Sequence, residues 1–198
     1  MKHYRAATVI ALSTLAPRER LLLSVISIVS CHRREPLPLL RTVPAFELIR
    51  ENGTKFGFAD LAGKVWVADF IYTTCPGPCP RMSSQMRRIQ DLTARMPGVE
   101  LVSFTVNPDV DTPAALSEYA KRYQADLSRW HFLTGNREVL HMLKRDAFKL
   151  GDVTGNLEHS TRFVLIDRKG QVRAYYATMD GDPVPHIVDD LRRLVDEK

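Results

Sequence analysis

The chain has 198 residues, of which 44% are apolar and 26% charged, the size and make-up of one globular domain with a tail. Three cysteines are too few for a disulfide scaffold. The formal charge of +5 does not mark a nucleic-acid partner, because Lys2, Arg5, Arg18 and Arg20 against Glu19 carry much of it near the N-terminus and no dense basic stretch with interleaved aromatics follows.

Arg18 and Arg20 precede the uncharged run Leu21 to Ser30, the layout of a signal peptide. The run is too short to cross a hydrocarbon core of about 30 Å as a helix. It stops at Ile28-Val29-Ser30-Cys31, which resembles a bacterial lipobox, and on that reading Cys31 carries a lipid that ties the chain to the cell membrane. An uncleaved membrane anchor, assisted by the apolar stretch Ala6 to Ala16, and simple secretion are the alternatives. Each places the rest of the chain in the periplasm or another extracytoplasmic space, where the remaining cysteines meet an oxidising environment. The expected organisation is therefore a leader or anchor over 1–31, a Pro- and Arg-rich tether over 32–42, and a globular domain over 43–198.

In the domain, the alternating Phe46-Glu47-Leu48-Ile49 meets Asn52-Gly53, a hairpin signal, with Phe56 to Phe58 as the return strand. Leu61 to Lys64 is a short turn. Val65 to Tyr72 is almost continuously apolar and predicts a buried parallel strand. A cysteine loop, Cys75-Pro76-Gly77-Pro78-Cys79, follows. Arg81 to Met96 has helical spacing, with Met82, Met86, Ile89 and Leu92 on one face. Val99 to Val106 predicts a second buried strand, Pro113 to Tyr123 a helix with proline in its first turn, and Trp130 to Thr134 a short strand. Arg137 to Leu150 predicts a helix with Val139, Leu140, Leu143 and Ala147 inward, closed by Gly151. Arg162 to Ile166 and Val172 to Tyr176 form a hairpin, and Pro185 to Val195 a final amphipathic helix. This order predicts an α/β fold with a mixed sheet flanked by helices and an added N-terminal hairpin. A cysteine motif between the first buried strand and its helix is the arrangement of a thioredoxin-like fold, whose functional site lies at the carboxyl ends of the parallel strands.

Cys75 and Cys79 are separated by three residues, and Cys79 stands where a helix begins, with Pro80 suited to its first turn. The positive end of the helix is expected to favour a thiolate there. The two sulfurs can converge on one metal ion or bond to each other. Thiolates with an imidazole, such as the downstream His159, suit copper and can also suit zinc or redox chemistry. A structural disulfide is the plain alternative, against which the prolines and the strand-to-helix placement argue. Met82 and Met86, i and i+4 on an apolar face, are core residues before they are soft ligands, as are Tyr72 and Trp130. His131 is expected to be partly buried and structural, His141 and His186 solvated on helices, and His3 and His32 to lie in the leader and tether.

The segment Tyr72-Thr73-Thr74-Cys75-Pro76-Gly77-Pro78-Cys79-Pro80 resembles the signature of the Sco/SenC family of copper-binding thioredoxin-fold proteins. The likeness continues through Gly63-Lys64-Val65, Pro108 with Asp111-Thr112-Pro113, Trp130 to Gly135, and Glu158-His159-Ser160, and it covers roughly residues 42–196. The resemblance implies copper, as Cu(I), Cu(II) or both, held by Cys75, Cys79 and His159. It implies a membrane-tethered copper chaperone that supports the binuclear copper site of cytochrome c oxidase, with the copper-bearing oxidase subunit or another copper carrier as partner. The other reading is a thiol–disulfide oxidoreductase or thiol peroxidase that uses Cys75 and Cys79 as a redox pair. Oxidoreductases of this fold place a proline beside the active cysteines, where this chain offers Gly155 to Ser160 and none. Two positions depart from the family pattern: Asn107 precedes Pro108 where an acid is usual, and Glu158 stands where Asp is common. Asp109 and Asp111 are candidates to supply the missing charge or to cap the helix near Pro113.

Overall fold

The computed structural model describes residues 35–151 and 160–197. Cys31, with the rest of the expected leader, and His159, with Glu158, lie outside the described residues. The strands are β1 (Arg41–Thr42), β2 (Glu47–Arg50), β3 (Lys55–Gly57), β4 (Val65–Ile71), β5 (Val99–Thr105), β6 (Trp130–Thr134), β7 (Arg162–Ile166) and β8 (Gln171–Ala177). The α-helices are α1 (Cys79–Leu92), α2 (Pro113–Arg122), α3 (Arg137–Met142) and α4 (Val184–Asp196). Among the described residues the eight strands form one sheet in the order β1-β8-β7-β4-β5-β6-β2-β3.

β4, β5 and β6 are parallel, and the outer pairings are antiparallel. Every residue of β4 is buried, as its unbroken apolar sequence requires for a strand covered on both faces. Alternate β4 residues serve different layers. Val65, Val67 and Ile71 pack with Met82, Met86 and Ile89 of α1, Leu116 and Tyr119 of α2, and Ile187 and Leu191 of α4. Trp66, Ala68 and Phe70 pack with Leu140 of α3, Leu143 and Phe148. Three helices thus cover one face and α3 covers the other, which confirms the expected mixed sheet flanked by helices. The N-terminal hairpin is also as expected: Gly53 takes the left-handed φ of 83°, Asn52 Oδ1 accepts from the Thr54 amide, and β2 adds to the sheet beside β6.

Three expectations are corrected. The compact unit begins at Leu37 rather than 43, because β1 pairs with β8, Arg41 opposite Val172 and Thr42 opposite Gln171. Two further amide bonds, Leu40 to the Val172 carbonyl and Val43 to the Gly170 carbonyl, extend that pairing. Backbone groups at a sheet edge do this work, so the side-chain pattern carries no sign of it. Second, α1 starts earlier and ends sooner than the apolar spacing implied, and Leu92 is 53% exposed. Third, the helix expected over Arg137 to Leu150 is α-helical only to Met142 and widens over Leu143–Ala147 into a π-turn, closed by the Phe148 amide on the Leu143 carbonyl at 2.9 Å. No helix among the described residues is long and apolar enough to cross a membrane.

Candidate metal centre

The cysteine loop leaves the sheet at the carboxyl end of β4. The Val106 amide reaches the Ile71 carbonyl at 2.9 Å and holds that end against β5, and the Cys75 amide turns back onto the Tyr72 carbonyl at 3.2 Å. Pro78 already has helical backbone angles, Cys79 is the first helical residue and Pro80 the second. Proline there loses no hydrogen bond, because the first helical amides have no partner within the helix. The first helical bond runs from the Met82 amide to the Pro78 carbonyl at 3.0 Å.

Both cysteines are thiols. Cys79 is fully buried and Cys75 is 8% exposed, so Cys75 is the sulfur nearer the surface. Both sit on the apolar layer formed with Met82 and Met86. The Cys75 thiol lies close to both the Cys79 thiol and the Tyr72 hydroxyl. Burial pushes the Cys79 thiol well above the ordinary range, and the Tyr72 backbone only partly offsets this. Desolvation thus works against the thiolate expected at the helix start. Tyr72 is raised as well, by burial first and then by Cys75.

Below the cysteines the same layer contains a carboxyl group. Asp69 is fully buried on β4, and among the described residues neither of its oxygens makes a hydrogen bond of ordinary geometry. Burial raises it to about 7, and Ser103, its neighbour on β5, offsets only part of that. Ser103 Oγ in turn accepts from Trp130 Nε1 at 3.0 Å, and Ser83 Oγ and the Tyr119 hydroxyl are 2.8 Å apart.

Asp111 neither caps α2 nor supplies surface charge. Thr112 is the cap, its Oγ1 accepting from the Ala115 amide at 3.2 Å. Asp111 is fully buried. Its Oδ1 accepts from the Thr73 hydroxyl at 2.5 Å and the Thr73 amide at 3.2 Å, and its Oδ2 accepts from the Thr105 hydroxyl. Asp109 is exposed and pairs with Arg137. The Asn107 amide donates to Thr105 Oγ1 at 2.9 Å.

The structure thus brings Cys75 and Cys79 together, while His159 lies outside the described residues. Among the described residues no group of three or more His, Cys, Asp and Glu side chains gathers at metal-ligand spacing. Met82, Met86 and Trp130 are fully buried core, as expected, and Tyr72 is half-buried between the two layers. His131 is structural: its Nε2 meets Glu100 Oε2 at 3.1 Å and its ring lies 4.5 Å from that of Phe56. His141 and His186 are exposed on α3 and α4. The role of Asp69 was not anticipated, although a lone charge inside an otherwise apolar strand was its signal.

A buried dithiol between a central parallel strand and its following helix, on a mixed sheet covered by helices on both faces, defines a thioredoxin-like α/β protein of the dithiol class. The SCO1/SenC family model matches residues 35–196, and the chain belongs to that family. It is similar to a SCO1/SenC family lipoprotein from Bacillus anthracis str. Ames, at 36% identity and a TM-score of 0.73 over 79% of this chain and 96% of that one. It is also similar to BsSco, a member of the Sco family of cytochrome c oxidase assembly proteins in which a disulfide switch has been identified, at 29% identity and a TM-score of 0.74 over 84% and 100% of the two chains. Yeast Sco1, solved with copper bound, shares the fold at 23% identity and a TM-score of 0.63 over 81% and 95%.

Proposed function

We propose that this protein is an extracytoplasmic, membrane-tethered copper chaperone whose cargo is held by Cys75, Cys79 and His159. The observation that carries the reading is the pair of thiols at the strand-to-helix junction of a Sco-family domain, packed together in a buried, largely apolar setting. Two soft sulfurs suit Cu(I), and an added imidazole extends the set to Cu(II). Each thiol gives up a proton on binding metal, so loading is coupled to proton release. Burial limits access to Cys79, while Cys75 is the sulfur placed to meet an incoming ion first. The recipient on this reading is the binuclear copper site of cytochrome c oxidase or another copper carrier, and a lipid on Cys31 or an N-terminal anchor would hold the domain at the membrane.

The test is an anaerobic Cu(II) titration of the reduced protein followed by visible absorption. Sulfur-to-copper charge-transfer bands that saturate at one equivalent are expected. They should vanish or shift in Cys75→Ser, Cys79→Ser and His159→Ala variants, and bands untouched by His159→Ala would remove His159 from the ligand set. The closeness of the two sulfurs also favours a second reading, thiol–disulfide exchange. Rapid loss of the bands with formation of a Cys75–Cys79 disulfide and no retained metal would select it.

A further inference from the structure

The turn that carries Cys75 is gripped by a single carboxylate from the loop that follows the neighbouring strand β5. Thr73 stands two positions before Cys75, and both its amide and its hydroxyl donate to Asp111, at 3.2 Å and 2.5 Å on Oδ1. The other oxygen of Asp111 accepts from Thr105, the last residue of β5, which lies opposite Ile71 in the sheet. Asp111 is itself anchored, its amide donating to the Asn107 carbonyl at 2.9 Å. The side chain is fully buried, and three donors, two from Thr73 and one from Thr105, point to it.

We propose that Asp111 is the positioning residue of the cysteine loop: by joining Thr73 to Thr105 it fixes where Cys75 stands relative to Cys79. The inference rests on the dithiol site proposed above. The helix fixes Cys79 through the backbone of α1. Cys75 has no such element and lies in a loop, so its place is set by the turn from Tyr72 and by what holds that turn. A carboxylate suits the task because it can accept on both oxygens at once, and such hydrogen bonds to a charged acceptor are the stronger kind. An amide at the same place would turn a donor toward at least one of these donors.

Asp111→Asn is nearly isosteric and tests the clamp. Two readouts separate it from general destabilisation: Cu(I) affinity against a chromogenic chelator, and the equilibrium in which the two thiols and glutathione disulfide give the Cys75–Cys79 disulfide and two glutathione thiols. Loss of a group that orients a metal ligand typically weakens metal binding by about 10- to 100-fold, and that loss is expected here together with a displaced glutathione equilibrium. Thr73→Val is expected to move both readouts in the same direction by less, since the Thr73 amide still donates, and Thr73→Ser is expected to restore them. Thr112→Ala removes only the α2 cap and is expected to lower stability while leaving both readouts at wild-type values. A folded Asp111→Asn protein with wild-type affinity and wild-type glutathione equilibrium overturns the proposal. Should that variant fail to fold, Thr73→Val decides by the same two readouts. If the wild-type protein binds no copper, the chaperone reading fails, and the glutathione equilibrium alone decides the clamp.

Discussion

Asp69 keeps a proton to about pH 7 because its carboxylate would otherwise be stranded inside the sheet layer. The consequence for stability has a definite sign. The unfolded chain releases this proton near the ordinary aspartate value, about 3.9, while the folded chain retains it some three units higher. Between those values the folded state binds more protons, so stability falls as pH rises, and it levels off above the folded value. The full difference is about 4 kcal/mol at 1.36 kcal/mol per unit. In Asp69→Asn the pH-dependent penalty disappears, offset by about 1–3 kcal/mol for an amide with poor hydrogen bonding. Denaturant unfolding from pH 4 to 8 should show the variant gaining on the wild type as pH rises, and parallel profiles would refute the assignment. A charged residue in the run Val65 to Tyr72 is visible in the sequence, but that its neighbour is only the Ser103 hydroxyl depends on which strand lies beside it. The same holds for Asp111: its neighbours in sequence made it a candidate for local charge or for a cap, and only the meeting of two loops makes it a clamp.

The elements that carry the site were legible because one signal dominates each of them. The apolar run of β4 has no other home than a sheet centre, and the prolines around Cys79 fit only a helix start. The legible signals stop where backbone pairing or tertiary fit takes over. Leu92 continues the apolar spacing of α1 but is its last residue and lies exposed, beyond the reach of the core that buries Ile89. The π-turn at Leu143–Ala147 keeps Leu143, Ala147 and Phe148 buried together, which no helical period shows. The β2–β3 hairpin rests on a similarly hidden fit. A Cβ on Gly57 would come within 2.3 Å of the Phe46 carbonyl oxygen, and because the atoms it meets are backbone no rotamer change relieves the contact. Gly57→Ala should therefore cost about 1–3 kcal/mol, the usual range for overpacking, through distortion of a hairpin on the β6 side of the sheet. Thermal unfolding measures this cost, and since β3 is the edge strand, separated from β4 by β5, β6 and β2, the copper bands should be unchanged. A neutral Gly57→Ala would show that β2 and β3 shift apart freely.

At the scale of the molecule, one buried arginine joins the β1–β8 pairing in tying the start of the domain down. The Arg173 side chain is 5% exposed and its guanidinium donates in several directions. It reaches Asp167 at 2.9 Å, Glu197 beyond α4 at 2.7 Å, and the backbone carbonyls of Leu37 and Pro38 at 2.6 and 3.1 Å. The hydrogen bond from Arg173 is also the main cause that holds Glu197 below the usual carboxylate range. That part of the tie is present above the ordinary glutamate value and is lost as pH falls through the lowered one. Residues 37–42 are thus a structural segment: its end, β1, closes the β8 edge, and its Leu37 and Pro38 carbonyls complete the surroundings of a buried cation. A chain shortened to begin at 43 leaves two donor directions of Arg173 unmet and exposes β8, whereas one beginning at 35 keeps both. The two should differ by several degrees in Tm, since each kcal/mol moves a domain of this size by about 2–4 °C. Arg173→Met leaves Asp167 buried without its counter-charge and should cost about 3–5 kcal/mol. If the segment were only a tether, the two shortened chains would melt together; if it is part of the fold, the loss on shortening should shrink once Arg173 has already been replaced, because both changes break the same junction.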